Sequence, residues 1–174
     1  HVLITANLNS ESIFDGFTIT RGYAFNAGTN AATYTYGNRS FSASFGGGMA
    51  NLNSTPVIAN MIFINNRASS GGGMANTKIG NAPSNDIFII DNVLFKENRG
   101  KGGGIYNYQI DSIVMKNSYF IKNNGIGTDG GGIFNQYTSG NFFNLLLDSN
   151  YASNGGGIYN SNGTDVIIQN ATFY

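Results

Sequence analysis

The sequence predicts an all-β protein, a parallel β-helix in which short strands coil into a solenoid and successive coils pair side by side. Two repeated motifs lead to this fold class. Five Gly-Gly-Gly triplets, each followed by an apolar residue, one further residue and an asparagine, recur after 25, 31, 28 and 25 residues. A second motif, in which two asparagines flank a large apolar residue, recurs in the same phase. Self-similarity at this period is typical of solenoids, whose units bury a core only by stacking.

Each coil is predicted to contain three short strands. The first follows the glycine triplet, the second is an apolar run such as residues 87–90, and the third carries the apolar residue of the asparagine motif. A helical solenoid is excluded, because its helices would have to include the glycine triplets, and each interior glycine costs about 1 kcal/mol. About six coils are expected, the earliest at residues 12–22 with Ile19 at the apolar position of the second motif.

Three asparagine columns are predicted to form hydrogen-bonded ladders inside the solenoid. Equivalent side chains of stacked coils lie about 4.8 Å apart, so each amide can donate to the carbonyl of the next and no polar group is buried unpaired. Ladder 1 is predicted to contain Asn51, Asn76, Asn107, Asn135 and Asn160; ladder 2, Asn60, Asn92, Asn117, Asn144 and Asn170; and ladder 3, Asn66, Asn98, Asn123 and Asn150.

Two apolar columns are expected to form the core. One follows the glycine triplets and the other passes through the second motif, so both recur once in every coil. The first contains Met49, Met74, Ile105, Ile133 and Ile158, and the second contains Phe63, Phe95, Phe120, Leu147 and Phe173.

The composition excludes several classes of function. Charged residues make up 10% of the 174 residues, and nine basic residues balance nine acidic ones, so no net field would attract nucleic acid. No apolar run reaches the roughly 20 residues of a membrane-spanning helix. With no cysteine and one histidine, His1, the chain is not expected to hold a thiolate or zinc site or a histidine-activated nucleophile. No cofactor and no metal site is predicted.

The chain is interpreted as a single β-helix domain over residues 1–174, and as a segment of a longer solenoid because it stops within a motif. An insertion at about residues 23–45 interrupts the repeat and is longer than an ordinary connection. Long loops on a rigid solenoid commonly carry binding residues, so this insertion, with Tyr34 and Tyr36, is one candidate surface. A cover over one flank of the solenoid is the alternative.

The position between the apolar residue and the asparagine after each triplet is predicted to face outward. It holds two alanines and then Tyr106, Phe134 and Tyr159, whose rings could bind a sugar chain or a protein. Self-stacking that supports the sheet is the alternative interpretation. We refer to these three rings as the aromatic column.

No catalytic residue is assigned. Cleavage of a polysaccharide requires a paired acid and base, whereas the carboxylates of this chain are scattered over bends of different coils. A calcium site at Asp129, with Asn124 and Thr128, is a weaker alternative.

The signatures GGGI or GGGM and F-x-x-N, the latter at residues 63–66, 95–98 and 120–123, resemble the repeats of chlamydial-type polymorphic outer-membrane proteins, which are autotransported adhesins. With the DGFTI element at residues 15–19, the chain more widely resembles right-handed parallel β-helix proteins of the pectin-lyase-like class. It reads GGG where the adhesin repeats read GGA. The resemblance implies a right-handed coil and a secreted or bacterial cell-surface setting.

The leading hypothesis is a non-enzymatic, adhesin-like or structural module. It would present its loops and the aromatic column to a glycan or a cell-surface protein, or associate head to tail with copies of itself. The alternative is a carbohydrate-active β-helix enzyme, a polysaccharide lyase or glycoside hydrolase, whose catalytic groups lie in the loops or outside this segment. An ice-binding solenoid ranks last, because Ser and Thr do not recur in register.

Overall fold

A computed structural model describes residues 1–25, 32–36, 39–80 and 86–174, apart from the side chains of Tyr36 and Arg39. The described residues form 21 β-strands, numbered in chain order. No helix in this part of the chain is long and apolar enough to cross a bilayer. All pairing between successive coils is parallel, and an all-β parallel β-helix is therefore confirmed.

Sheet I consists of the strands that follow the glycine triplets and the first strand of the chain. Its strands pair residue for residue, so that equivalent positions of successive coils are direct neighbours. In spatial order the strands are β1 (Leu3–Ala6), β7 (Met49–Leu52), β11 (Met74–Thr77), β15 (Ile105–Tyr108), β18 (Ile133–Gln136) and β20 (Ile158–Ser161).

Sheet II has ten strands and forms two walls that meet at a corner. One wall contains β2 (Ile13–Asp15), β8 (Val57–Ala59), β12 (Phe88–Asp91) and β16 (Ile113–Lys116), and the other contains β3 (Thr18–Thr20), β9 (Ile62–Ile64), β13 (Leu94–Lys96) and β17 (Tyr119–Ile121). The long strands β19 (Ser139–Asp148) and β21 (Asp165–Phe173) run through both walls.

A fourth short strand is present in each of the first three coils, where the sequence predicts only three. These strands form sheet III, in the order β14 (Arg99–Lys101), β10 (Arg67–Ser70) and β4 (Tyr23–Ala24). The segment just before the glycine triplet therefore also pairs between coils, although residue types repeat in it only as the pairs Arg67 with Arg99 and Ala24 with Ala68.

The core lies where the predicted apolar columns meet. Met49, Met74, Ile105 and Ile133 are fully buried in register on sheet I. The rings of Phe63 and Phe95 stack at 5.0 Å, and those of Phe95 and Phe120 at 4.9 Å. Ile19 pairs with Phe63, as predicted for the first coil. Such parallel stacking is imposed by the coil spacing, which brings like rings directly over one another.

Ladders 1 and 3 form as predicted and are buried, except at their last members, Asn160, which is exposed, and Asn150, which is partly exposed. In ladder 1 each Nδ2 donates to the Oδ1 of the next coil at 2.7–2.8 Å, and Thr5 donates to the Oδ1 of the first member, Asn51. In ladder 3 the Oδ1 of Asn98 accepts from both the backbone N–H and the Nδ2 of Asn66. The Nδ2 of Asn98 also donates to the carbonyl of Phe63. Ladder 3 therefore ties the corner backbone to the phenylalanine column.

Ladder 2 also forms but is exposed and interrupted. All five members adopt left-handed φ values between 50° and 56°, a conformation that asparagine tolerates better than other side chains. The Nδ2 of Asn92 donates to Asn60, and that of Asn144 donates to Asn117. Between these pairs, Asn117 instead donates to the carboxylate of Asp91. The asparagine at this corner is therefore required by the turn of the chain as well as by the ladder.

The glycine triplets are explained by two different constraints. Gly102 has a φ of +61°, which residues with a Cβ rarely adopt. A Cβ on Gly104 would lie 2.7 Å from the Gly132 carbonyl oxygen and 2.7 Å from the Phe120 ring. Glycine at the third position therefore lets sheet I approach the next coil and the phenylalanine column.

The predicted insertion contains an antiparallel hairpin. Strands β5 (Thr33–Tyr36) and β6 (Arg39–Ser42) pair only with each other. Residues 26–31 and 37–38 of the insertion lie outside the described part of the chain, as do residues 81–85 of a second lengthened bend.

Candidate functional site

The aromatic column stacks in register along the outer side of sheet I. The rings of Tyr106 and Phe134 are 5.2 Å apart with planes 6° from parallel, and those of Phe134 and Tyr159 are 5.5 Å apart at 19°. This is the self-stacking that the sequence offered as the alternative to binding. The rings follow the register of the strands beneath them.

Burial corrects the expectation that this column presents free aromatic faces. Tyr106 is 7% exposed and Phe134 is 1% exposed. The Phe45 ring lies 5.5 Å from the ring of Tyr106, and the Lys101 ammonium lies 4.0 Å from the ring of Phe134. In this arrangement only Tyr159 remains partly exposed.

The hairpin covers the first part of the same outer surface. Phe41, on β6, is 3% exposed and packs with Ala50 and Leu52 of β7. Phe45, just beyond the hairpin, packs with Ala75 and Tyr106. The alanines after the first two triplets are therefore explained by volume, because the rings of the insertion occupy the space that tyrosine or phenylalanine fills in later coils.

The two tyrosines proposed on the insertion do not join this cluster. Tyr34 is 42% exposed, and its ring makes an edge contact with that of His1 at 5.2 Å. The side chain of Tyr36 lies outside the described part of the chain.

Burial also changes the acidity of the column. It raises the pKa of Tyr106 to about 12, and the neighbouring Tyr108 adds to the shift. A phenolate would lose its hydration inside this cluster, so the neutral hydroxyl is favoured well above neutral pH.

The oxygen atoms suggested for calcium are engaged in hydrogen bonds. The Asn124 Oδ1 accepts from the Ile126 N–H, the Thr128 hydroxyl donates to the Gly125 carbonyl, and an Asp129 oxygen accepts from Asn154. In the part of the chain that the structure describes, no three His, Cys, Asp or Glu side chains group as metal ligands.

A pocket of about 340 Å³ opens at the corner where sheet I ends. Among the described residues it is lined by Lys78, Gly80, Gln109, Asp111 and Tyr137. We refer to it as the corner pocket. No repeated motif of the sequence singles out any of these residues as part of a site.

Backbone hydrogen bonds between successive coils extend beyond the ends of the sheet I strands into this corner. They position the side chains that line the corner pocket. The N–H of Lys78 donates to Tyr108 at 3.0 Å, that of Gln109 to Gln136 at 3.0 Å, and that of Tyr137 to Asn162 at 3.1 Å. Each of the three donors lies two residues after an asparagine of ladder 1. The corner could have been located in the sequence from that constant offset, although the residue at this position differs from coil to coil.

Lys78 and Asp111 form an ion pair in the pocket. The Lys78 side chain is 14% exposed, whereas that of Asp111 is 57% exposed. The ammonium is therefore directed toward its partner, and the carboxylate is the charged group that faces solvent.

Tyr137 connects the pocket to the buried aromatic cluster. Its side chain is 48% exposed, and its ring meets that of Tyr108 edge to face, at 6.1 Å and 82°. The Tyr108 ring lies nearly parallel to that of Tyr106 at 6.4 Å. The buried rings of Tyr106 and Phe134 are thus connected through Tyr108 to the exposed ring of Tyr137.

A second cavity, of about 430 Å³, lies on the outer side of sheet II. It is mainly apolar, with Ile62 and Tyr119 among its exposed side chains and ladder 2 along one edge. Its described lining residues are Asn60, Met61, Ile62, Asn92, Leu94, Tyr119 and Ile121.

Comparison of the chain with models of protein families, with curated proteins and with solved structures gave no match.

Proposed function

We propose that this chain is a non-enzymatic, adhesin-like binding module that is secreted or displayed on a bacterial cell surface and holds a glycan or protein ligand at the corner pocket. The main support for this proposal is the exposed ring of Tyr137, which lies beside Gln109 and Asp111 at the edge of sheet I. Ligand sites are typically concave, with aromatic surface and a few converging polar groups, on a scaffold that holds them in place.

The non-enzymatic part of the proposal rests on the chemistry of the pocket. Hydrolysis of a glycosidic bond uses two carboxyl groups on opposite sides of the bond. The described lining of the corner pocket offers one carboxylate, that of Asp111, and Lys78 is already bound to it. This arrangement suits recognition of polar groups better than proton transfer.

The extracellular part of the proposal is supported by the sequence repeats. The glycine-triplet and F-x-x-N motifs resemble those of surface adhesins, and a cysteine-free solenoid held by ladders does not depend on the redox state of its surroundings.

The test is a combined glycan and protein array probed with the wild type and two single variants. Tyr137→Asn removes the ring from the corner pocket, and Tyr119→Asn removes a tyrosine of similar exposure, 45%, from the cavity on sheet II. We expect binding that is lost in Tyr137→Asn and kept in Tyr119→Asn. The reverse pattern would transfer the site to sheet II and contradict the proposal.

The enzymatic alternative is tested on the same protein. The wild type is incubated with neutral and acidic polysaccharides, and new reducing ends and unsaturated products are measured. Product formation that depends on Asp111 would overturn the non-enzymatic proposal.

A further inference from the structure

The corner pocket carries a more specific inference, which rests on the proposed function: we infer that its ligand is an uncharged saccharide, with a sugar ring packed on Tyr137 and its hydroxyls bonded by Asp111 and Gln109. The inference follows from the shape of the pocket, the kinds of polar group in it, its charge and the backbone of Tyr137.

The shape favours a small ring-shaped ligand. The pocket is open and has a volume of about 340 Å³, near the lower end of the range for small-molecule sites. The Tyr137 ring is in T-shaped contact with that of Tyr108, which restricts its movement. The C–H groups on one side of a pyranose ring form a flat apolar surface that packs on such a ring.

The polar groups match the hydroxyls of a sugar. A carboxylate offers about four acceptor positions and an amide offers two donors and an acceptor. One Asp111 oxygen is bonded to Lys78, which leaves acceptor capacity on the carboxylate for ligand hydroxyls. Gln109 is exposed beside it and can both donate and accept. A purely apolar ligand would leave these groups desolvated without partners.

The charge distribution disfavours an anionic ligand. The ammonium of Lys78 is held by Asp111, and the carboxylate is the more exposed member of the pair. An approaching uronate, sulfate or phosphate would meet the negative group first, and binding it would require breaking the ion pair. A neutral sugar needs no such rearrangement.

The backbone of Tyr137 indicates that its ring is kept for more than folding. Tyr137 has a left-handed φ of 50°, and the corresponding corners of other coils have the same conformation, with φ of 48° at Asn53 and Asn162 and 57° at Gln109. Asparagine suits this conformation, whereas a tyrosine there is strained. A similar φ occurs at Glu97 and Lys122, which are not among the described lining residues of either cavity, so the strain supports a functional constraint only together with the exposed ring that Tyr137 places in the pocket.

The experiment measures binding of the folded protein to soluble oligosaccharides by calorimetry. The panel contains neutral oligomers of glucose, mannose, galactose and xylose, and uronate oligomers of matched length. We expect the wild type to bind at least one neutral oligomer and to bind the uronates at least tenfold more weakly. Tyr137→Phe should keep the affinity within about threefold, and Tyr137→Asn should lower it at least tenfold, with thermal melting followed by circular dichroism to confirm that each variant is folded.

Two charge variants test the ion pair. Asp111→Asn removes the exposed carboxylate and frees the Lys78 ammonium, so it should lower affinity for the neutral sugar and raise affinity for the uronates. Lys78→Met, in which the carboxylate loses its cation, should bind uronates no better than the wild type.

The possible outcomes distinguish failure of the neutral-sugar inference from failure of the proposed function as a binding module. A wild type that prefers uronates would overturn the inference while leaving a glycan-binding module in place. A neutral sugar that binds equally well after Tyr137→Asn would overturn both the inference and the assignment of the ligand to the corner pocket. A wild type that binds a protein at this pocket and no sugar would also overturn it. A protein without any ligand on the combined array would overturn the proposed function itself.

Discussion

The ammonium of Lys101 lies 4.0 Å from the centroid of the Phe134 ring, at the outer surface of the aromatic column. The same ammonium is 3.8 Å from an Asp129 carboxylate oxygen. Lys101 is the last residue of β14 and immediately precedes a glycine triplet. Lys101, in the segment before one triplet, thus covers the Phe134 ring of the next coil. This contact is one reason why Phe134 is buried, although the sequence predicted that it faces outward.

Replacement of Lys101 by methionine should lower the free energy of unfolding by about 1 to 2 kcal/mol, because the cation–π contact is lost while the apolar stem is kept. The matched control is Lys116→Met, which removes a lysine of similar exposure from an ion pair with Asp91 at 3.1 Å. Such a surface pair contributes about 0 to 1 kcal/mol. Urea unfolding of both variants measures the difference, and equal losses would contradict a specific role for the ring contact.

Interruption of ladder 1 should be costly at its centre. Asn107→Ala removes the acceptor of Asn76 and the donor to Asn135, both of which are fully buried. Each unpaired group costs about 1 to 3 kcal/mol, so we expect a loss of roughly 2 to 5 kcal/mol in the free energy of unfolding.

The control for this prediction lies in ladder 2. Asn144→Gly also removes a ladder amide, but at an exposed position, and glycine keeps the left-handed φ of 56° available. It should cost less than about 1 kcal/mol, because water satisfies the groups left behind. If denaturant unfolding showed the two variants to be equally stable, the ladders would contribute nothing beyond their turns.

Stability should fall at alkaline pH because of Tyr106. Its pKa is raised to about 12 in the folded protein, whereas an unfolded tyrosine titrates near 10. Below pH 10 both states carry the proton and the stabilisation is fully present; as the pH rises from about 10 to 12, the unfolded state releases its proton first and stability declines. Urea unfolding across this range should show a shallower decline for Tyr106→Phe, and an unchanged slope would contradict the assignment.

The cover formed by the hairpin can be measured with a single thiol, since the natural chain contains no cysteine. A cysteine introduced by Ala50→Cys should react slowly with a maleimide, because this position lies beneath Phe41. Adding Phe41→Ala should accelerate labelling at least tenfold, since loss of the ring weakens the packing of the hairpin.

Phe41→Leu in the same background is the control, because it keeps most of the apolar contact and should label at close to the original rate. If Ala50→Cys already reacted as fast as an unfolded reference peptide, the hairpin would not shield sheet I in solution.

The sequence predicted the features that repeat with constant residue type. These are the asparagine ladders, the column of methionine and isoleucine and the phenylalanine column, each of which recurs at a fixed position in the repeat. Because the coils stack in parallel, residues at the same position of successive repeats are in contact. The left-handed corner of ladder 2 adds a second reason for asparagine that the ladder interpretation alone did not supply.

The features that the sequence did not reveal depend on residues without such recurrence. Phe41 and Phe45 lie in an insertion that has no counterpart in other coils, so nothing in the repeat indicated that Phe41 would cover Ala50 or that Phe45 would pack against Tyr106. The corner pocket was missed for a related reason, because its positions change from lysine to glutamine to tyrosine between coils. What these positions share is their backbone register. In the sequence it is recognised only by counting two residues on from each asparagine of ladder 1.

The uniform direction of ladder 1 makes the coils equivalent as building blocks. The amides of Asn51, Asn76, Asn107 and Asn135 each donate toward the following coil, and every carbonyl of the ladder accepts from the preceding one. If one whole coil were removed, the two newly adjacent asparagines would still meet as donor and acceptor. Such a protein can gain or lose length by duplication or deletion of complete turns, while each surviving turn keeps the same partners and the surface features of individual turns diversify independently.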